Sequence, residues 1–205
     1  MKTLKRRELL EGSFNVIGAA TYILSCGFLL VDFDATHRTS NLFMLARRFI
    51  FALFFITRKT PPKQTNTSPR DWIVAFCGTY MLNFLIPAPE IHDSIYIEAV
   101  QALGFIICIA GALSLNESFG VVAANRGIKS TGMYKYLRHP IYCGYFLEAG
   151  AYFAQNLTIQ NLIVLVIWAL FQFRRIVVEE QYLSKDEAYK SYMQKVRWRI
   201  IPFVY

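Results

Sequence analysis

Between Phe14 and Val31 the chain runs for eighteen residues without a charge, and between Ile95 and Leu115 only Glu98 interrupts an apolar run of twenty-one. At ~1.5 Å per helical residue, runs of this length match a hydrocarbon layer ~30 Å thick. Leu42–Thr57, Trp72–Ile86, Ile141–Ala154 and Ile159–Phe173 are shorter stretches of the same character. The chain is 55% apolar and only 18% charged, which excludes an ordinary soluble globule. The expected fold is all-α: a multi-pass integral membrane protein with about five transmembrane helices. Its last two stretches form a C-terminal helical hairpin around the short turn Q-N-L-T. With a basic start and a first apolar run longer than a signal-peptide core, the first stretch reads as a retained helix.

Charge sets the orientation. The net charge of +8 would suggest nucleic acid as a partner of a soluble protein, but the cations here gather in alternate loops. Four lie in the N-terminal arm, four in 58–71, four in 116–139 and seven from Arg174 onward, nineteen of the 22 Lys and Arg residues. The N-terminus and these segments are therefore expected on the cytoplasmic side, and no nucleic-acid partner is inferred. The same count requires Leu42–Thr57 to cross despite Arg47 and Arg48. Those two either snorkel to the headgroups or line the bundle interior, with snorkelling the leading expectation. In the hairpin, Ile159–Phe173 can lengthen through Arg174–Leu183, because nothing there breaks a helix.

The densest chemistry lies in Gly132–Gly144, G-M-Y-K-Y-L-R-H-P-I-Y-C-G. Pro140 suits the first turn of a helix, which places His139 at the cap beside free backbone amides and Arg138 next to an anion-binding helix end. Tyr142, Tyr145 and Tyr152 share a helical face. Glu148, roughly two turns in, needs a partner or a wet cavity. An interfacial Arg-His-Tyr belt explains the same residue types equally well. Further on, Arg175 and Glu179 stand four apart on one helix face, as a simple stabilising ion pair or as a site for a charged substrate group. Ser118–Gly132, with three glycines, reads as a folded loop hugging a ligand or the bundle. Nucleotide-loop, zinc-protease and serine-hydrolase motifs are absent. Cys26, Cys77, Cys108 and Cys143 are isolated within apolar stretches, so neither disulfide nor metal site is expected.

Taken together, S-F-G…G-I-K-S-T-G-M-Y…R-H-P-I-Y-C-G, then E-E-Q-Y-L, then Tyr189/Tyr192 and Ile201-Pro202 resemble the isoprenylcysteine carboxyl methyltransferase family. A looser likeness extends to phospholipid N-methyltransferases. The resemblance runs from about Leu113 to Pro202 and implies an S-adenosylmethionine-dependent methyltransferase with a cofactor pocket on the cytoplasmic side, built from the last helices and covered by the tail. By motif position it implies cofactor contacts at Arg126, Gly127, Ile128, Lys129, Tyr134, His139, Pro140, Tyr142 and Glu179. Arg175 corresponds to the residue near the acceptor carboxylate, so Arg175 and Glu179 are the expected catalytic pair. Residues 1–115 then supply transmembrane helices and 116–205 the methyltransferase core, within one structural unit.

A carboxylate acceptor is already ionised at neutral pH and needs no general base, whereas an amine must first lose a proton, with Glu179, Glu180 or Glu148 as candidates. The acceptor is expected to be a lipophilic small molecule or a lipidated group within membrane lipids. An isoprenylcysteine-like carboxylate is the leading reading, with a thiol or a phospholipid amine as alternatives. A sterol-reductase-like NADPH enzyme and a non-enzymatic membrane protein are the competing classes. The sequence suits a bacterial inner membrane and an endoplasmic reticulum equally, and leaves the oligomeric state open.

Overall fold

The computed structural model describes residues 2–57, 64–65, 68–88, 93–115, 124–125 and 127–204. Seven α-helices account for most of them: α1 (Lys2–Thr36), α2 (Thr39–Thr57), α3 (Pro69–Tyr80), α4 (Ile95–Leu115), α5 (Pro140–Gln155), α6 (Ile159–Leu183) and α7 (Glu187–Lys195). A two-residue antiparallel ladder joins β1 (Gln64–Thr65) to β2 (Ala124–Asn125). Three helical segments are long and apolar enough to cross a membrane: Ala19–Thr36, Ile95–Leu115 and Ile159–Leu183. With its 55% apolar composition, the chain is an integral membrane protein.

Two boundaries differ from the sequence expectation. The polar segment Asp32–Asn41 contributes a break only at His37 and Arg38, because nothing before His37 interrupts helical hydrogen bonding. Helix α1 ends where His37 turns left-handed (φ 54°) and donates its amide to Phe33 O at 2.8 Å. Trp72–Ile86 is not one continuous helix. Pro69 opens α3 at its first turn, and after Tyr80 the chain tightens into a 3₁₀ turn over Met81–Phe84. Side chains from elsewhere in the chain claim the backbone within and beyond it. Arg48 donates to Leu82 O, Asn161 both donates to Ile86 O and accepts from Ile86 N, and Asn156 accepts from Ala88 N.

Helices α4 and α5 meet backbone to backbone. A Cβ added at Gly144 would lie 2.5 Å from Cys108 N and from Gly104 O, and one at Gly104 would lie 2.6 Å from Glu148 N. No side chain fits there, so the pair can associate closely only through small residues. Thr158 caps α6, accepting from Asn161 N at 3.1 Å, and α6 runs unbroken through Arg174–Leu183 as its sequence allows. At the α1–α2 turn Arg38 is buried. It pairs with Asp93 at 2.8 Å and also donates to Ala88 O, Gln155 O and Asn156 Oδ1.

The expected snorkelling of Arg47 and Arg48 is not what the fold contains. They are 3% and 1% exposed. Arg47 Nε lies 2.7 Å from Glu148 Oε2, and its guanidinium sits over the Tyr145 ring. Arg48 donates to Ser25 O and Leu82 O. The physical reason is the partner: an opposite charge and freed carbonyls inside the bundle compensate cations that would otherwise have to reach the headgroups. Breaking a buried pair strands the other charge, whereas removing both partners does not. Arg47→Leu should therefore destabilise the protein by about 3–5 kcal/mol, and Arg47→Leu/Glu148→Leu should recover most of that loss. Unfolding of the purified protein in detergent micelles measures both.

Candidate functional site

Gly132 adopts a left-handed φ of 60°, and any Cβ there would collide with Ser114 Oγ at the end of α4. The same hydroxyl accepts from Met133 N at 3.2 Å. This docking starts a 3₁₀ turn, Gly132–Lys135, that buries Tyr134. Pro140 then opens α5 with His139 at the cap position, as the sequence predicts. The His139 side chain does not cap the helix. Its Nε2 lies 3.2 Å from Glu180 Oε1 on α6.

Glu180 also meets Arg138 Nε at 2.8 Å and Arg199 Nε at 2.7 Å. One carboxylate thus joins the start of α5, the C-terminal extension of α6 and the C-terminal tail. The tail lies alongside the R-H-P stretch: Arg138 N donates to Trp198 O and His139 N to Arg199 O, at 2.9 and 2.8 Å. Tyr192 Oη donates to Tyr134 O at 2.7 Å, and Tyr134, Tyr189, Tyr192 and Val196 form a second small core. Burial pushes the Tyr134 phenol well above its ordinary range and the Tyr192 phenol up to about 12, so both hydroxyls stay neutral at physiological pH.

In the first turn of α5, Tyr142 lies between the two expected catalytic residues. Its hydroxyl donates to Glu179 Oε2 at 2.7 Å, and the Arg175 guanidinium sits 5.2 Å from its ring centre. Arg175 Nη1 also donates to Thr79 Oγ1 of α3 at 3.0 Å. The His139 ring lies 5.3 Å from that of Tyr142. Tyr134, His139, Pro140, Tyr142, Arg175 and Glu179 are thereby gathered where α5 begins and α6 emerges.

The preceding loop is gathered less completely. Ile128 packs against the Tyr134 core, Lys129 is half-buried, and Gly127 is exposed with a left-handed φ of 93°. Arg126 lies outside the described residues. Sequence reasoning weighed Glu180 only as a base for an amine acceptor and gave Arg138, Thr79 and Arg199 no specific partner. The Glu-Glu doublet held a usable signal, since adjacent helical residues point in different directions and so must serve different partners.

Residues 101–185 match the model of the isoprenylcysteine carboxyl methyltransferase (ICMT) family. The chain is 29% identical to the protein-S-isoprenylcysteine O-methyltransferase of Schizosaccharomyces pombe, over 58% of this chain and 52% of that protein. It therefore spans about half the length of that relative. Its fold is similar to the eukaryotic intramembrane Ras methyltransferase ICMT, with a TM-score of 0.55 and 21% identity over 92% of this chain and 76% of the other. The likeness first read from the R-H-P-I-Y and E-E-Q-Y-L motifs is thus found independently in family model, sequence and fold.

If Glu180 holds the tail, removing its charge should free it. Glu180→Ala should raise hydrogen-exchange rates across residues 196–200 by about tenfold or more, while protection in α4 stays unchanged. Exchange followed by mass spectrometry of the intact protein in micelles makes the comparison.

Proposed function

We propose that this chain is an S-adenosylmethionine-dependent membrane methyltransferase that esterifies the carboxylate of a lipophilic, isoprenylcysteine-like acceptor. The observation that carries this reading is Tyr142 between Arg175 and Glu179, with a cation over one ring and a carboxylate on its hydroxyl. Residues 116–205 would form the methyltransferase core, and residues 1–115 the membrane scaffold. About five spans would place the N-terminus and the site on the cytoplasmic side, in keeping with the distribution of Lys and Arg.

The side chains present suit the cofactor. When bound, S-adenosylmethionine supplies an electrophilic methyl group on a sulfonium sulfur and leaves as a neutral thioether. Tyr134 and Tyr142 offer aromatic faces to positive charge, worth roughly 0.5–2 kcal/mol each, and Glu179 offers a carboxylate beside them. His139, Pro140 and the 127–129 loop complete the proposed contacts. Arg175 holds the acceptor carboxylate through one oxygen and leaves the other free to attack. The acceptor becomes a methyl ester without losing a proton, so alignment is the main task, and alignment can supply about 7–11 kcal/mol at best.

The surroundings of the carboxylates favour this acceptor over an amine. Glu148 is paired with Arg47, Glu180 is held by Arg138, His139 and Arg199, and Glu179 accepts from Tyr142. Each is already engaged by donors of the protein itself, which leaves none of the three free to take a proton from an amine.

Binding of S-adenosylhomocysteine to the purified protein is the direct test of the cofactor site; no binding at millimolar ligand would overturn the proposal. Glu179→Ala should lose both that binding and turnover. Arg175→Ala should keep binding within a few-fold while kcat/KM falls by at least about a hundredfold, the scale of losing a buried charge-assisted contact. Wild-type turnover in Arg175→Ala would remove its acceptor role.

A further inference from the structure

Thr79 stands buried in the last turn of α3, and its hydroxyl donates to Ala75 O at 2.8 Å. A threonine hydroxyl has one proton and two lone pairs. With the proton committed to its own helix, Thr79 Oγ1 meets α6 as an acceptor, and Arg175 Nη1 supplies the donor at 3.0 Å. The direction of that acceptor is set as well, because a β-branched side chain bonded back to its own helix is stiff at χ1.

Neighbouring contacts fix α3 against α6 at this point. The fully buried Trp168 donates its indole N–H to Gly78 O at 3.0 Å. Gly78 presents bare backbone to the arginine stem, since a Cβ there would come within 3.5 Å of Arg175 Cδ. On the other side, the guanidinium sits 5.2 Å from the centre of the Tyr142 ring of α5. Arg175 is thus guided along its length by α3 and faced by α5.

An arginine has a long stem with many rotamers, and each anion it binds must first overcome that freedom. A hydroxyl acceptor restrains the guanidinium without cancelling its charge, as a carboxylate at the same position would do. Position 79 also lies outside residues 101–185, the part that matches the family model. We infer that Thr79 is a positioning residue, whose hydroxyl aims the Arg175 guanidinium and keeps its charge available to the acceptor carboxylate. This rests on the acceptor role proposed for Arg175, and it gives the N-terminal half of the chain a part in the site beyond scaffold. Thr79 acts through Arg175, so the cofactor side should not respond to its loss.

The test compares binding of N-acetyl-S-farnesylcysteine and of its methyl ester to the full chain in micelles with saturating S-adenosylhomocysteine. The two ligands share the lipid and differ in the charge that Arg175 would hold. Wild-type protein should bind the acid at least about tenfold more tightly. Thr79→Val keeps the side-chain shape and removes the hydroxyl, so that preference should shrink to within about threefold. Methyl transfer to the acid should lose about tenfold in kcat/KM through a raised acceptor KM, with S-adenosylhomocysteine affinity and melting temperature unchanged. Thr79→Ser returns the hydroxyl and should recover both quantities to within about threefold of wild type. A packing role alone would weaken acid and ester equally. Full preference kept in Thr79→Val, equal loss for the two ligands, or no recovery in Thr79→Ser would overturn the inference and leave the role of Arg175 standing. Equal affinities for acid and ester in the wild type would remove the carboxylate role of Arg175 and that of Thr79 with it, while binding of S-adenosylhomocysteine would still uphold the cofactor site.

Discussion

Helices α4 and α5 touch through bare backbone at Gly104 and Gly144, and much of the site's position follows from that contact. A methyl group at either position would meet main-chain atoms, not a side chain that could move aside. The close approach fixes the depth of α5 relative to α4, and Gly111 against Pro140 and Ile141 extends it to the first turn of α5. Where α4 ends, Ser114 receives the returning chain at Met133. Tyr134, His139 and Tyr142 inherit their places from these constraints, although none of them takes part in the Gly104–Gly144 contact.

Buried charge is the second organising theme, and it recurs in separate layers. Arg38 with Asp93 closes the turn between α1 and α2, Arg47 with Glu148 ties α2 to α5, and Glu180 gathers Arg138, His139 and Arg199. Desolvated ions are costly unless paired, so each layer commits the helices to one arrangement instead of adding much net stability. The consequence for the site lies in how α6 divides its two acids. With Glu180 occupied by two arginines and His139, Glu179 is left to meet Tyr142.

The tail has a structural part in the site. Its backbone carbonyls at Trp198 and Arg199 accept from Arg138 and His139, and Tyr192 reaches back to Tyr134. The R-H-P stretch thus acquires partners from residues about sixty positions away. In the proposed methyltransferase, the same packing would hold aromatic faces steady against a positively charged cofactor.

What the sequence alone determined was whatever depends on neighbours along the chain. Apolar run length specified helices, Pro140 marked where α5 begins, and the unbroken Arg174–Leu183 stretch predicted that α6 would continue. The paired motifs pointed to Tyr134, His139, Tyr142, Arg175 and Glu179, which the fold brings together. Tertiary structure decided what each helical face meets. Arg47 and Arg48 turned inward because Glu148 and freed carbonyls await them, and Trp72–Ile86 broke where Arg48 and Asn161 claim its backbone. Glu180 became the junction of α5, α6 and the tail. Helical periodicity says which side chains share a face, but the energy of a buried charge or amide depends on the atoms opposite it, and those come from distant parts of the chain.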